Sequence, residues 1–282
     1  MASSKVTKLL FLGDISTRYG RQIVRDVLPS IKKKDGVDIV VANCENAAGG
    51  RGVTREIVNE LQACGIDYFT TGEHVWDVAR FRNDLVDENV PLLRPYNYEG
   101  MGEIPGKGWT VLDMGANGQI IIINLIGQVF MRDHVRSPFW AFDELYRKLE
   151  EDLGQEFLQK TPIIIDLHAE TTAEKIAFAW YVKDKVAAVL GTHTHVGTVD
   201  TRLLNRENGE GACAFVTDVG MCGPKDASLW VAFDSIIHNF KYPYKKSFKV
   251  EKQGGRIFNS VLVEIQKNSS RKITRIDKIA ER

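Results

Sequence analysis

The stretch that decides the fold reads PIIIDLH at residues 162–168 and AAVLGTHTH at residues 187–195. Both halves are apolar runs that end in histidine, and runs without polar alternation predict strands buried on both faces. Between them, Thr171-Thr172-Ala173-Glu174 forms a capping box, which predicts a helix through Tyr181. The stretch is therefore predicted to fold as strand, helix and strand, the repeating unit of an α/β protein.

The same alternation of strand and helix patterns continues on both sides of this unit. In chain order the predicted elements are a strand at Lys8–Leu12, a helix through Ile23, Val27, Leu28 and Ile31, a strand at Asp38–Ala42, a helix through Ile57, Val58 and Leu61, a strand at Tyr68–Thr71, a hairpin of Gly108–Met114 and Gln119–Leu125, a helix at Phe139–Leu153, and strands at Pro162–Leu167 and Ala187–Leu190. From about Thr198 the pattern is β-rich. The sequence shows no repeats or linkers, so the pattern as a whole predicts one layered α/β/α domain over residues 1–282.

Composition narrows the class of protein. The 282 residues are 44% hydrophobic and 26% charged, as in a water-soluble globular protein, and no apolar run is long enough to cross a bilayer. Lysine plus arginine equals aspartate plus glutamate at 37 each, so net charge indicates neither nucleic acid nor membrane as partner. The four cysteines lack CxxC spacing and are expected to be reduced, as in a cytoplasmic protein.

Polar residues follow five of the predicted strands within a few positions. The five strand ends are Gly13-Asp14, Asn43-Cys44-Glu45-Asn46, Gly72-Glu73-His74, Asp166-Leu167-His168 and Gly191-Thr192-His193-Thr194-His195. Because parallel strands bring their carboxyl ends to one edge of a sheet, residues far apart in sequence should converge there. Each strand end alone also fits a turn or a structural histidine, but the coincidence of five favours a metal site.

The residue types at these strand ends indicate the chemistry. Four of the six histidines lie there with Asp14, Glu45 and Glu73, and imidazole with carboxylate suits Zn, Fe and Mn. Two metals about 3.5–4 Å apart can bridge a hydroxide and clamp a phosphate, which phosphodiester hydrolysis at neutral pH requires. An imidazole that binds no metal can protonate the leaving oxygen, and His74 is the candidate because it follows a presumed ligand. Arg21 and Arg94 could hold phosphate or serve in structural pairs.

At these residues the sequence resembles the YmdB-like family of calcineurin-type metallophosphoesterases. The matching segments are GDISTRYGR (13–21), NCENAAGGRG (43–52), TTGEHVWD (70–77), LRPYNY (93–98), DLHAETTAEK (166–175), VLGTHTHVGTVDTR (189–202) and VTDVGMCGP (216–224). The resemblance implies a four-layer α/β/β/α sandwich of the metallo-dependent phosphatase type. It also implies two transition metals, Fe or Mn with Zn as an alternative, and hydrolysis of phosphodiesters, with 2′,3′-cyclic nucleotides as the favoured substrate class.

The resemblance also implies a ligand set. The implied metal ligands are Asp14, Glu45, Asn46, Glu73, His168, His193 and His195, with His74 as the general acid. The wider superfamily has an Asp-x-His first motif that this chain lacks. That absence fits the narrower family, for which the resemblance implies Glu45 as the bridging ligand instead. Where the family has Gly-Asn-His, this chain has Gly72-Glu73-His74. The longer, charged Glu73 either binds a metal or swings away.

Three functions compete at this point. The first is a phosphodiesterase acting on cyclic nucleotides or RNA ends, the second a phosphomonoesterase with the same metals, and the third a regulatory protein that binds RNA or a partner. Neutral net charge and the lack of an RNA-binding motif argue against the third as the sole role. The expected binding partner is a small phosphate ester, and RNA is a further candidate. Binding to a membrane is not expected, and the chain is expected to form a homo-oligomer.

Overall fold

A computed structural model describes residues 6–87, 89–99, 104–209, 211–252 and 254–266 in full and the backbone of 273–281. In chain order its strands are β1 (Val6–Leu12), β2 (Asp14–Ile15), β3 (Ile39–Asn43), β4 (Tyr68–Thr70), β5 (Trp109–Asp113), β6 (Gln119–Ile126), β7 (Ile163–His168), β8 (Ala188–Thr192), β9 (Arg202–Asn205), β10 (Ala212–Val216), β11 (Met221–Pro224), β12 (Arg256–Gln266) and β13 (Ile273–Glu281). Its helices are α1 (Thr17–Asp35), α2 (Arg55–Ala63), α3 (Phe81–Asp84), α4 (Pro138–Leu153), α5 (Gln155–Lys160), α6 (Thr172–Val182) and α7 (Phe233–Lys241).

The strands form two sheets. The first has the order β2-β11-β12-β1-β3-β4, with β13 paired to β12, and the second has the order β5-β6-β7-β8-β10-β9. In the second sheet β6, β7, β8 and β10 are parallel, and the antiparallel β5 and β9 lie at its edges. In the first sheet β1, β3 and β4 are parallel, so both sheets bring several carboxyl ends to one side of the molecule.

The two sheets pack face to face. Leu9 and Phe11 of β1 share a buried apolar cluster with Ile122 and Ile164 of the second sheet. Leu10 and its alternate neighbours on β1 point the other way, into a cluster with α1 and α2, while α4 and α6 cover the outer face of the second sheet. The architecture is therefore a four-layer α/β/β/α sandwich.

This arrangement confirms the four layers that the family resemblance implied, and it corrects the three-layer α/β/α arrangement predicted from strand patterns alone. A continuous apolar run shows that both faces of a strand are buried. It does not show whether a helix or a second sheet covers each face. The prediction was wrong because β1 meets helices on one face and strands on the other.

Most of the predicted elements are present. The hairpin is confirmed, with Trp109 opposite Ile123 and Asp113 opposite Gln119. The capping box is confirmed at its first half, since the Thr171 side chain accepts a hydrogen bond from the Glu174 backbone N–H. The β-rich prediction after Thr198 missed α7. Within the described residues, the helices lack the combination of length and apolar character that spanning a membrane requires.

Candidate metal centre

The strand ends of both sheets meet in one buried cluster. Asp14 lies at the start of β2, Glu45 and Asn46 follow β3, and Glu73 follows β4, all from the first sheet. The histidines come from the second sheet, with His168 at the end of β7 and His193 and His195 directly after β8. Six of these seven side chains belong to buried residues, and His193 is partly buried. All seven predicted ligands are thus brought together.

Four of them form one compact group. Glu45, Glu73, His168 and His193 each offer one donor atom, and these four atoms all lie within 4.8 Å of one another. At this spacing they could bind a single metal ion. His168 Nε2 lies 3.1 Å from Glu45 Oε1 and 3.4 Å from Glu73 Oε2. His193 Nδ1 lies 3.0 Å from the same His168 nitrogen. Glu73 is therefore turned into the cluster.

The remaining three side chains form a second group beside the first. Asn46 Nδ2 lies 3.0 Å from His195 Nε2 and 3.5 Å from Asp14 Oδ1, and the His195 nitrogen lies 3.6 Å from that carboxylate oxygen. Glu45 Oε1 is 3.2 Å from Asn46 Nδ2 and 3.1 Å from His168 Nε2. One carboxylate thus lies between the two groups, where a ligand shared by two metals would be placed.

The loop that carries the two histidines is held in an unusual backbone conformation. His193 and His195 both have positive φ, 98° and 64°, a region that non-glycine residues rarely occupy. Their backbone is fixed by buried carboxylates: Asp14 accepts from the His193 N–H and Asp218 accepts from the Thr194 N–H, each at 3.1 Å. This strain is typical of functional sites, where surrounding contacts hold a conformation that the residue itself disfavours.

Gly72 explains how the turn after β4 can approach so closely. A Cβ at this position would lie 2.2 Å from Glu45 Oε2 and 2.2 Å from His168 Nε2. Any side chain would therefore displace two of the cluster's donors. The glycine is required by space rather than by backbone conformation.

A polar network beneath the cluster orients His168. Its Nδ1 is 2.9 Å from Thr192 Oγ1, which donates at 2.7 Å to Asp166 Oδ1. Asn43 and Thr70 also donate to the Asp166 carboxylate. Burial raises the pKa of Asp166 to about 6, although His168 and these hydrogen bonds oppose the rise. Asp166 belongs to a strand end singled out in the sequence, but its role in this network was not predicted.

The charges of the cluster fit metal cations. Burial raises the pKa of Asp14, but His195 and His168 outweigh it and hold the pKa below the usual range. Glu73 likewise has a pKa lowered to about 2, because His168, His193 and His74 outweigh burial. Among the salt bridges of the described residues, the carboxylates of Asp14, Glu45 and Glu73 pair only with histidines.

Two polar atoms of the cluster also have no hydrogen-bond partner among the residues that the structure describes. They are the Glu73 Oε2 and His195 Nδ1 atoms, both of them buried. Buried carboxylates are costly without compensating positive charge, and orphaned polar atoms are rare in protein interiors. The residues present therefore fit a site for metal cations.

His74 stands at the rim of the cluster. Its Nδ1 is 2.9 Å from Asp77 Oδ2, and Arg132 Nη1 lies 3.3 Å from the other Asp77 oxygen. Arg132 also donates to the backbone carbonyl of Glu73. Asp77 lies in the segment that carries the family resemblance, whereas Arg132 comes from a loop after β6 and has no sequence signal. Both were missed as partners of His74.

The two arginines singled out from sequence are structural. Arg21 pairs with Glu60 at 3.0 Å and donates to the Ala47 carbonyl at 2.6 Å. Arg94 donates to the carbonyls of Pro95 and Tyr96, at 2.9 and 3.2 Å. Of the two alternatives for these residues, structural pairing is the one observed.

A four-layer α/β/β/α sandwich with histidines and carboxylates at adjoining strand ends defines the class: this is a metallophosphoesterase. A family model described as YmdB-like protein matches residues 10–279. The chain belongs to the YmdB-like family.

Relatives agree with this assignment. The 2′,3′-cyclic-nucleotide 2′-phosphodiesterase of Bacillus subtilis is 37% identical over 275 residues, 96% of each chain. A crystal structure described as a novel phosphatase, from Mycoplasma pneumoniae, is 30% identical with a TM-score of 0.86, over 98% of this chain and 93% of that one. A hypothetical protein from Thermus thermophilus is 31% identical with a TM-score of 0.83, over 98% and 99%.

Proposed function

We propose that this protein is a dimetal phosphodiesterase whose substrates are 2′,3′-cyclic nucleotides. The observation that carries the proposal is the position of Glu45, whose carboxylate lies between two groups of donors in one buried cluster. The name of the Bacillus subtilis relative supports the substrate class. Iron or manganese is the proposed metal, with zinc as the alternative, because the donors are imidazole nitrogens and carboxylate oxygens.

The proposed ligands divide into two sets that share Glu45. Asp14, Asn46 and His195 would hold one metal, and Glu73, His168 and His193 would hold the other. When bound, two metals supply a hydroxide nucleophile at neutral pH and neutralise charge on the phosphate oxygens. The carboxylate network around Asp166 keeps His168 in a fixed orientation, which preserves its geometry as a ligand.

His74 is proposed as the general acid. Opening the cyclic phosphate forms a bond from the attacking oxygen to phosphorus and breaks a bond from phosphorus to a ribose oxygen. That ribose oxygen needs a proton as it leaves. Asp77 faces Nδ1 of His74, so the ring is oriented with Nε2 as the position of proton transfer. Arg132 holds Asp77 and the backbone of Glu73 together, which fixes this turn against the cluster.

A substrate panel tests the proposed activity. Protein loaded with Mn²⁺ or Fe²⁺ would be assayed against 2′,3′-cyclic AMP, 3′,5′-cyclic AMP, bis-nitrophenyl phosphate and nitrophenyl phosphate. We expect the 2′,3′-cyclic nucleotide to give the highest kcat/KM. The His195→Ala variant should be inactive in every assay, and His134→Ala, which changes an exposed histidine outside the cluster, should match the wild type.

The same panel tests the second candidate, a phosphomonoesterase. The phosphatase description of the Mycoplasma pneumoniae structure favours it. If nitrophenyl phosphate were turned over faster than either diester, the phosphodiesterase proposal would be wrong.

The cytoplasm is the proposed location, supported by four free cysteines, of which three are buried.

A further inference from the structure

A second surface feature lies outside the metal cluster. It comprises residues 229–249, which include α7 and the loops on either side of it, and is here named the aromatic–lysine segment. Five large aromatic side chains of this segment are exposed, Phe240 at 84% and Tyr244 at 65% among them. So many exposed aromatic rings in one short segment are unusual for a soluble surface and mark an interaction site.

The rings of the aromatic–lysine segment are ordered in stacks. Tyr242 and Tyr244 lie 5.4 Å apart between ring centroids with their planes 29° apart, and His238 packs on Tyr242 at 4.7 Å. Asn239 anchors this loop to α7, because its side chain bonds both the N–H and the carbonyl of Lys246. Flat, held and solvent-facing rings are the platforms on which unpaired nucleic acid bases stack.

The charge of the segment suits a polyanion. Residues 229–249 contain four lysines and only one acidic residue. Lys249 is paired with Asp234 at 3.8 Å and Lys245 donates to the Asn239 carbonyl. The exposed Lys241 lies beside Tyr242, its Nζ 5.8 Å from the ring centroid. Alternating aromatic rings and lysines combine base stacking with phosphate attraction.

One end of the segment contacts the loop that carries the proposed ligand Asn46. Gly50 donates its N–H to the carbonyl of Asn46 at 3.0 Å, and its φ is 105°. Trp230 covers Gly50 so closely that a Cβ there would lie 2.8 Å from the indole ring. Phe248 packs edge-on against Trp230 at 6.4 Å. From the proposed ligand Asn46 the path to the aromatic–lysine segment therefore crosses a single residue.

We propose that the aromatic–lysine segment binds the nucleotides that precede a 2′,3′-cyclic phosphate at the 3′ end of single-stranded RNA. The terminal phosphate occupies the metal cluster while the preceding bases stack on the exposed rings. This inference rests on the proposed function and extends its substrate class from mononucleotides to RNA ends. A second copy of the chain fits less well, because a two-fold interface would bring the same lysine-rich patch of both copies together.

Kinetics with substrates of different length test the proposal. Metal-loaded protein would be assayed with 2′,3′-cyclic AMP and with oligoadenylates of two to eight nucleotides that end in 2′,3′-cyclic phosphate. We expect kcat/KM to rise with length through a lower KM. The Phe240→Ala/Tyr244→Ala variant should lose roughly 5–150-fold in kcat/KM on the longest substrate, the equivalent of one stacked base. Its rate on the mononucleotide should stay at the wild-type value.

Matched variants separate this effect from general damage. Trp140→Ala removes another exposed aromatic residue, which lies on α4 and is 72% exposed. It should leave kcat/KM unchanged on both the mononucleotide and the longest substrate. Lys241→Gln/Lys246→Gln should weaken the salt dependence of KM for the octamer. Lys33→Gln/Lys34→Gln removes the same charge from the last turn of α1 and should leave the salt dependence of KM for the octamer unchanged.

Each other outcome has a definite meaning. If the wild type failed to hydrolyse 2′,3′-cyclic AMP, the proposed function itself would be wrong. If it hydrolysed the mononucleotide with no preference for longer substrates, only the present inference would fall. Sedimentation with phosphatidylserine vesicles that requires Phe240 and Tyr244, without any length preference, would assign the segment to membranes instead. A change of oligomeric mass in the variants, again without a length preference, would assign it to a second copy.

Discussion

At the scale of single residues, His74 makes the sharpest prediction. A ribose alkoxide is a poor leaving group and a nitrophenolate is a good one, so a general acid matters most for the nucleotide. We expect His74→Ala to lower turnover of 2′,3′-cyclic AMP by about 10²–10⁴-fold, the usual worth of a positioned acid. Loss on bis-nitrophenyl phosphate should be much smaller. Steady-state kinetics on both substrates, with metal analysis of each variant, checks this.

The contrary results for His74 are equally clear. If His74 were a metal ligand, His74→Ala would lower the turnover of both substrates together and would also lower the amount of bound metal. A structural role would lower the melting temperature. Asp77→Asn serves as a companion variant, because it keeps the imidazole and removes only the carboxylate 2.9 Å from Nδ1. It should show the same substrate selectivity as His74→Ala with a smaller loss.

Glu45 makes a second prediction. Glu45→Gln keeps the volume of the side chain and removes the charge that lies between the two donor groups. We expect a folded protein whose activity falls by more than the roughly 10–100-fold that loss of an outer partner of a ligand costs. Turnover and elemental analysis would be measured together. Wild-type turnover with unchanged metal content would rule out a shared ligand at this position.

Glu73 makes a third prediction, because this chain has glutamate where the family resemblance implies asparagine. With Oε2 at 3.4 Å from His168 Nε2 and a pKa of about 2, the side chain offers a full negative charge to the cluster. Glu73→Asn should keep activity but release one metal at lower chelator concentration, since a neutral amide binds a cation less tightly. A chelator titration followed by metal analysis measures this. Identical release curves would place Glu73 outside the ligand set.

At the scale of elements, α6 supports the histidine loop through one buried lysine. Lys175 Nζ donates to the Thr192 carbonyl at 2.7 Å and to Asp218 at 2.8 Å. Lys175→Met leaves Asp218 buried without its cation, which costs about 3–5 kcal/mol in the free energy of unfolding. Urea denaturation measures the loss. Lys160→Met, which removes a surface pair with Glu156, should cost at most about 1 kcal/mol.

Element boundaries and strand ends could be predicted from the sequence because their signals are local. The capping threonine of α6, the hairpin and the apolar strands all depend on neighbouring residues. The sheet order could not be predicted, because β12 pairs with β1 across most of the chain. The missed α7 exposes Phe233, Ile237 and Phe240 to solvent, so its apolar spacing does not mark a face packed on the core.

The same distinction applies to the site. All seven predicted ligands lie in one cluster because each lies at the end of a strand, or shortly after it, and these strands carry their own signals. Arg132 could not be found, since it reaches Asp77 from a loop without a motif. Trp230 was likewise unmarked, and its contact with Gly50 depends on how distant segments pack. Contacts between loops are set by the folded molecule and not by neighbours in sequence.

At the scale of the whole molecule, the metal content of the purified protein decides the interpretation. Seven candidate ligands, with the Glu45 carboxylate between their two groups, provide for two metals, so elemental analysis after purification with added Mn²⁺ should give close to two ions per chain. Chelation should lower the melting temperature, because a ligand that binds only the folded state stabilises it. Activity should return when metal is restored. A metal content near zero would refute the proposed function.

The first sheet also governs when the protein can become active during its synthesis. The strand β1, made first, lies between β3 and β12, and β2, which begins at Asp14, pairs with β11. A growing polypeptide on the ribosome therefore carries Asp14 and Glu45 long before their sheet can close, and such distant pairings form late. We expect metal capture to begin only after residues 256–266 have emerged, which stalled nascent chains of increasing length would reveal. Synthesis of β12 would thus set the earliest point at which the metal centre can form.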